Sequence, residues 1–141
     1  MADALPNSIE LVVVTPDRLV VEAAVSAVTI PGASGYLGVL PGHAPLLTEL
    51  DIGRVTYTRA NGEHAIAVAR GFAEVLPGRV VILADTAERA EEIDAERAER
   101  ARQRAEEELR KMTQAGESMD QAREALRRAI SRLETAHHKT S

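Results

Sequence analysis

The pattern of hydrophobic residues changes near residue 87, and this change constrains the fold more than any other feature of the chain. Before it, short β-branched runs alternate with turn residues. After it, apolar residues recur every three or four positions. Charge density changes at the same place: residues 1–87 hold 5 basic and 9 acidic side chains, and residues 88–141 hold 12 and 13. We therefore expect two parts, a β domain over 1–87 and a helical domain over 88–141.

The first part reads as a series of short strands. Asn61-Gly62 and Pro77-Gly78 are turn signals between strand-like runs, which predicts two β-hairpins. No helix-length segment separates the runs, so a parallel βαβ sheet is disfavoured and a sandwich or barrel is favoured. The predicted strands are Ile9–Val14, Val20–Val25, Ala27–Ile30, Val55–Arg59, His64–Ala69, Phe72–Leu76 and Val80–Ala84.

The second part reads as two helices that form an antiparallel hairpin. The apolar positions are spaced by three or four residues in each helix, and Gly116, with Gln114 and Ser118, marks the break between them. An alanine-rich seam buries little area, so we expect a hairpin that undocks at modest cost. The seam positions are Ala98, Ala101, Ala105, Leu109 and Met112, then Met119, Ala122, Leu126, Ile130 and Leu133.

Composition argues against several functional classes. A net charge of -5 disfavours binding to nucleic acids or anionic membranes, which requires a positive surface. The chain has no cysteine, so it has no disulfide framework and no thiolate nucleophile. The first residues resemble neither a secretory signal nor a transit peptide, and no apolar run reaches the ~20 residues of a membrane span. We expect the protein to stay in the compartment where it is made.

Three local sequences then bring a family into view. Gly35-Tyr-Leu-Gly-Val-Leu-Pro-Gly-His-Ala-Pro-Leu-Leu-Thr48 closely resembles the long turn motif of the epsilon subunits of bacterial F-type ATP synthases. Gly71-Phe-Ala-Glu-Val75, followed by Val80-Val-Ile-Leu-Ala-Asp-Thr-Ala87, is similar to the last β-hairpin of that family. Ile93-Asp-Ala-Glu-Arg-Ala98 is similar to the start of its C-terminal hairpin. The resemblance runs from about Ile9 to Lys139.

The resemblance implies an α+β protein with an N-terminal β-sandwich of about ten strands and a C-terminal two-helix hairpin. It implies a non-catalytic central-stalk subunit whose sandwich binds the gamma subunit and the c-ring. The hairpin would either fold against the sandwich or extend toward the alpha and beta subunits and inhibit ATP hydrolysis. The subunit would be a monomer when isolated and peripheral to the cytoplasmic face of the bacterial cell membrane in the complex.

Two positions depart from the family pattern. Tyr36 stands where relatives often carry an acidic residue that faces the c-ring. Arg70-Gly71 stands where a Gly-Gly pair is expected, which we expect to change a local bulge or an interface side chain rather than the fold.

The segment after the predicted boundary also resembles the ATP-binding motif of some bacterial epsilon subunits. In those proteins ATP, with or without Mg²⁺, is a regulatory ligand that holds the hairpin folded, and no cofactor is required. Arg128 and Arg132 lie four residues apart on one helix face and suit phosphate oxygens, and Arg104 is a further contributor. The motif, carried over position by position, supplies Glu88, Ile93, Asp94, Arg97, Ala98, Arg128 and Arg132.

A structural interpretation of the same residues stays open. Asp94 is equally well placed to cap a helix, where the helix dipole favours a carboxylate. The arginines could form a solvated face paired with Glu124 and its neighbours.

The turn over residues 37–47 and the second helix carry the expected partner contacts. Apolar residues between prolines and glycines are typical of a protruding contact loop, although we expect at least two of the leucines to point into the core. Arg128 and Arg132 join the helix residues as candidates for acidic beta-subunit surfaces. The contact residues predicted are Tyr36, Val39, Leu40, His43, Arg123 and Arg127.

Two other functional classes compete with this interpretation. A β-domain adaptor whose hairpin forms a coiled-coil dimer would differ by its oligomeric state. A small enzyme using His43 as a base lacks a partnered nucleophile in the sequence. Neither His137-His138 nor the glycines of 32–38 have the spacing of a metal site or a phosphate loop.

Overall fold

The computed structural model describes residues 6–115 and 119–138 and confirms the expected α+β architecture. Eight strands, β1 to β8, are followed by a short 3₁₀ turn at Ala90–Glu92 and two helices. Their bounds are β1 Ile9–Val14, β2 Leu19–Val25, β3 Ala27–Gly32, β4 Gly35–Val39, β5 Leu46–Leu50, β6 Gly53–Arg59, β7 Gly62–Leu76, β8 Arg79–Arg89, α1 Ala95–Ala115 and α2 Asp120–Ala136.

The described residues contain eight strands rather than about ten. The strands predicted over 64–69 and 72–76 are one continuous strand, β7, because the residues between them bend the chain without ending its pairing. The helix break predicted at Gly116 and Ser118 lies outside the described residues, and Gln114 lies within α1.

The eight strands form one hydrogen-bonded sheet that folds over on itself into two layers. The strand order is β2-β1-β8-β7-β5-β3-β4, and β6 pairs with both β3 and β7. The first half of β7 pairs with β6 and the second half with β5. On its other side, β7 pairs with β8 from Ile66 to Leu76, a stretch that spans β8 from end to end. Two long strands therefore run through both layers of the sandwich.

The fold in the sheet lies at Arg70-Gly71. Both residues have positive φ angles, 58° and 118°. A Cβ on Gly71 would lie 1.9 Å from the carbonyl oxygen of Leu83, so only glycine fits there. Residues 70–71 thus form the crease at which β7 passes from one layer to the other.

The core lies between the layers and is almost entirely aliphatic. Alternate residues of each strand point inward, as Ile9, Leu11 and Val13 do in β1. In β7 the inward residues include Ile66 and Val68, while Ala65, Ala67 and Ala69 alternate with them on the outer face. These alanines are also buried, because α2 covers that face.

The helical hairpin packs on the sandwich mainly through α2. Ala98 and Ala105 of α1 and Ala122 of α2 are buried, as the seam pattern predicts. Ile130 was expected in this seam but is exposed. Ala129, the preceding residue, is buried in its place. α2 also has a second buried face, against the sandwich, which includes Ser131 and Thr135.

The segment between the sandwich and α1 is held by ion pairs. β8 continues two residues past the boundary expected at residue 87. Arg18, in the β1–β2 turn, donates to both carboxylate oxygens of Glu92, at 2.9 and 2.5 Å. The hydrogen bond from Arg18, together with those from Arg89, lowers the pKa of Glu92 to about 2 despite partial burial. The chain is therefore fixed to the sandwich as far as Glu92.

Candidate functional site

A cavity of about 570 Å³ lies between the outer edge of the sandwich and the two helices. Its size is within the range of sites for small-molecule ligands. β8 forms one wall, and α1 and α2 form the others. The lining residues are Thr86, Glu88, Arg97, Ala101, Arg104, Ala105, Glu108, Ala125, Arg128, Ala129 and Arg132.

Four of the seven predicted ATP-binding residues line this cavity, although they are up to 44 positions apart in the chain. They are Glu88, Arg97, Arg128 and Arg132, and Arg104 joins them. The structure therefore brings together side chains that sequence analysis grouped by their resemblance to a motif and, for Arg128 and Arg132, by their spacing on one helix face.

Arginines dominate the electrostatics of the cavity. Four guanidinium groups and two carboxylates line it, so the balance is positive in a chain whose net charge is -5. Arg132 donates to both oxygens of Glu88, at 2.7 and 3.2 Å, and Arg128 lies 3.9 Å from Glu124. Convergent guanidinium groups on facing helices can hold a multiply charged anion such as a polyphosphate.

Three predicted residues lie outside the cavity lining. Asp94 precedes α1, where its Oδ1 accepts a hydrogen bond from the backbone N–H of Arg97 at 3.1 Å and its carbonyl accepts one from Ala98. This is the geometry of a helix N-cap. Ala98 is fully buried in the helix seam, and Ile93 is half-buried beside the 3₁₀ turn.

The turn predicted over residues 37–47 is a loop only at 40–45, because its ends belong to β4 and β5. A second correction concerns one of its predicted contact residues. Val39 was predicted to contact a partner, but it is 1% exposed because it points inward from β4 into the core. Tyr36 and Leu40 are exposed at the surface. The expectation that at least two leucines point inward is also wrong, since Leu37 alone packs against the core and the others are exposed.

The loop that carries His43 is fixed to the end of the sandwich. The backbone N–H of Gly42 donates to the carbonyl of Pro77 at 2.8 Å. His43 Nδ1 lies 2.6 Å from the carbonyl oxygen of Ala44, so this nitrogen carries the hydrogen. His43 therefore makes a hydrogen bond within its own turn.

The two predicted arginines of α2 differ in their surroundings. Arg123 is exposed. Arg127 donates to Asp51 Oδ2 at 3.0 Å and so contacts the sandwich. Burial raises the pKa of Asp51, but the pairing with Arg127 and a hydrogen bond from Ile52 outweigh it, so the pKa lies below its ordinary value.

Sequence analysis missed an apolar row on the outside of the other layer. Phe72 pairs with Leu83, Leu83 with Val14 and Val14 with Leu19, so the row crosses four strands. Phe72, Leu83 and Leu19 are each about half exposed. The signal was present: in β7 and β8 these large apolar residues alternate with inward residues at positions where a solvated face would be polar.

The described residues contain neither a cluster of metal ligands nor a membrane-spanning helix. No cluster of three or more His, Asp or Glu side chains has the arrangement of a metal site within 6–115 and 119–138. No helix in this part of the chain is long and apolar enough to cross a bilayer.

Two protein-family models match successive parts of the chain. The model "ATP synthase, Delta/Epsilon chain, beta-sandwich domain" matches residues 8–90. The model "ATP synthase, Delta/Epsilon chain, long alpha-helix domain" matches residues 91–137.

Curated relatives and solved structures agree with this match. The ATP synthase epsilon chain of Moorella thermoacetica is 51% identical over 130 residues, which cover 92% of this chain and 96% of the relative. That of Solibacter usitatus is 47% identical over 135 residues, or 96% of this chain and 100% of the relative. A chain in the cryo-EM structure of the Euglena gracilis mitochondrial ATP synthase (OSCP/F1/c-ring) is 28% identical with a TM-score of 0.80, over 96% of this chain and 85% of that chain.

Proposed function

The chain belongs to the ATP synthase delta/epsilon chain family, and on that premise we propose that it is a rotor subunit that regulates ATP hydrolysis through its helical hairpin. It is an accessory epsilon chain of an F-type ATP synthase and not a catalytic one. The observation that carries the proposal is that the similarity spans both the sandwich and the hairpin.

The sandwich offers two surfaces for the stalk. The apolar row of Leu19, Phe72 and Leu83 suits the gamma subunit, because a contiguous exposed apolar surface marks a protein interface. Tyr36 of β4 and Leu40 of the loop that follows it are exposed and suit the c-ring. Through these contacts the chain would lie at the cytoplasmic face of the membrane without entering it.

The hairpin is suited to two arrangements. In the described arrangement α2 covers the alanines of β7, a small-residue contact that buries little apolar area. Undocking would free Arg127 from Asp51, and together with the exposed Arg123 it could then contact acidic surfaces of the alpha and beta subunits. A docked hairpin would permit rotation and an extended one would block it.

The arginine-lined cavity supports ATP, with or without Mg²⁺, as a regulatory ligand. Arg97 and Arg104 come from α1 and Arg128 and Arg132 from α2, so a phosphate chain between them would hold the two helices together. Because β8 forms the third wall of the cavity, a nucleotide that contacts all three elements would favour the docked arrangement.

ATP hydrolysis by the assembled synthase tests the regulatory role. Replacing Arg123, Arg127, Arg128 and Arg132 with alanine should relieve inhibition, with Arg110→Ala as the control because Arg110 lies on the exposed side of α1. Hydrolysis that stays as inhibited as with the unchanged chain would contradict this role. Loss of the chain from the complex would instead point to failed assembly, so subunit content is measured alongside.

A further inference from the structure

Four charged side chains of alternating sign meet where α2 crosses the crease of the sandwich. Arg70 of the crease forms an ion pair with Glu124, and Asp51 of the β5–β6 turn forms one with Arg127 at 3.0 Å. Glu124 and Arg127 are one helical turn apart on α2. The backbone N–H of Arg70 also donates to the carbonyl of Asp51 at 3.4 Å, so the two sandwich residues are joined to each other.

The backbone of Arg70 is unusual for a residue with a side chain. Its φ of 58° lies in the left-handed region, and among the described residues it is the one non-glycine residue with positive φ. This conformation is unfavourable for arginine, and glycine would adopt it freely. The side chain it carries reaches Glu124 of α2, a contact that glycine could not make.

The other contacts between α2 and the sandwich are few and small, so these four charges contribute a large share of the docking energy. The floor beneath the helix includes Ala65, Ala67 and Ala69, whose side chains bury few apolar atoms, and α2 also contacts β6 and the 3₁₀ turn. The polar contacts besides the four charges include Ser131 Oγ, which donates to the carbonyl of Gly53 at 2.8 Å, and the Arg132–Glu88 pair. A docked state held by so little apolar area is sensitive to the loss of individual polar contacts.

We propose that Arg70, Asp51, Glu124 and Arg127 form an ionic clasp that sets the fraction of docked hairpin and makes it sensitive to ionic strength. The proposal rests on the mobility of the hairpin proposed above and adds the device that controls it. The clasp also occupies Arg127 while the hairpin is docked, so the same guanidinium is withheld from any external acidic partner. Salt screens partly exposed pairs, and therefore high salt favours the undocked hairpin.

Distance measurements on the full-length chain test the clasp. The chain has no cysteine, so spin labels at Ala60→Cys and Gln121→Cys report the position of α2 relative to the β6–β7 turn by electron–electron resonance. Two double-mutant cycles are measured. The first compares Arg70→Asn, Glu124→Gln and the double variant. The second compares Asp51→Asn, Arg127→Gln and their double variant. Asparagine is chosen for Arg70 because it tolerates positive φ and leaves the crease intact.

Each single variant should raise the ratio of undocked to docked hairpin by roughly two- to fivefold, as expected for a partly exposed ion pair. The double variant should add little to the larger single effect, and it should flatten the dependence on NaCl between about 0.05 and 1 M. Lys111→Gln, which removes the pair of Lys111 with Glu107 inside α1, should change neither quantity.

Two results would overturn the proposal in different ways. A docked fraction that depends on salt but is unaffected by either cycle would remove the clasp and leave the mobile hairpin standing. A hairpin that stays fully docked in every variant and at every salt concentration would contradict both the clasp and the mobility on which the proposed function depends.

Discussion

Arg132 and Glu88 join α2 to the last strand of the sandwich through two hydrogen bonds, from Nε at 2.7 Å and from Nη2 at 3.2 Å. The same arginine lines the cavity between the helices. A guanidinium group has five N–H donors, so Arg132 can hold Glu88 and a bound anion at the same time, which connects docking of the helix to occupancy of the cavity.

Arg132→Ala should weaken ATP binding about tenfold or more, because a charge-assisted hydrogen bond to phosphate contributes roughly 1.5–3 kcal/mol. Isothermal titration of ATP into the purified chain measures this. Arg128→Ala should behave alike, and Arg110→Ala, on the exposed side of α1, should bind ATP like the unchanged chain. Equal affinity in all four proteins would remove the cavity as a nucleotide site.

Substitutions of Asp94 separate its two possible roles. Because Asp94 caps α1, Asp94→Ala should lower the free energy of unfolding by about 1 kcal/mol, and Asp94→Ser should restore most of it. If the carboxylate also contacts nucleotide, both variants should lose ATP affinity by similar factors. Urea denaturation and titration of the same samples decide between the roles: affinity recovered by serine assigns Asp94 to capping alone.

Gly71→Ala should destabilise the sandwich by about 3 kcal/mol or more, since the added Cβ would overlap the carbonyl oxygen of Leu83 and the φ of 118° disfavours alanine. Gly38→Ala is the matched control, because a Cβ there has no neighbour within 4 Å. It should change stability by less than about 1 kcal/mol. A small effect of Gly71→Ala in urea denaturation would show that the crease relaxes.

The ion pair between Arg18 and Glu92 predicts a defined pH dependence of the unfolding free energy. The folded-state pKa of about 2 lies below the ordinary value of 4.5, so the pair stabilises the folded chain fully above about pH 4.5 and loses this contribution as the pH falls toward 2. Its size should be about 1 kcal/mol or less, because the side chains are partly exposed. The difference in unfolding free energy between the unchanged chain and Glu92→Gln should shrink over that window, and a constant difference would contradict the assignment.

Phe72→Thr and Leu83→Thr should weaken binding to purified gamma subunit by about tenfold or more each, as expected for central apolar contacts of an interface. The stability of the isolated chain should change little, since both side chains are half exposed. Leu40→Thr, in the loop proposed for the c-ring, is the control and should leave gamma binding unchanged. Surface plasmon resonance and thermal melting provide the two measurements, and loss of binding in Leu40→Thr alone would exchange the roles of the two surfaces.

Local patterns predicted most elements of the fold, but not β4 and β5, which lie where a long turn was expected. The alternation in β1 and the two hairpin turns indicated strands at the correct places, and the spacing of Ala98, Ala105 and Ala122 indicated the helix seam. These features depend on near neighbours in the sequence, so a single chain displays them. The second buried face of α2 was not predictable in this way. It is created by contact with the sandwich, and its residues, Ser131 and Thr135, are polar and form no apolar repeat in the sequence.

The site was predictable only in part for a similar reason. The resemblance to a motif grouped Glu88 with Arg128 and Arg132, and the fold places them around one cavity. The pairing of Arg70 with Glu124 spans 54 positions and depends on a left-handed backbone conformation that is unusual for arginine. Such contacts arise from tertiary packing, and neither the charge pattern of the sequence nor the backbone propensity of its residues predicts them.

The passage of β7 and β8 through both layers has a mechanical consequence. Phe72, in the exposed apolar row, and Ala67, beneath α2, belong to the same strand. A force applied at Phe72 is therefore transmitted to Ala67 through the covalent backbone and does not cross a packing interface. The two outer faces therefore turn as one stiff body. We therefore expect any undocking of the helices, as proposed, to begin in the short stretch beyond Glu92, while the sandwich keeps its shape.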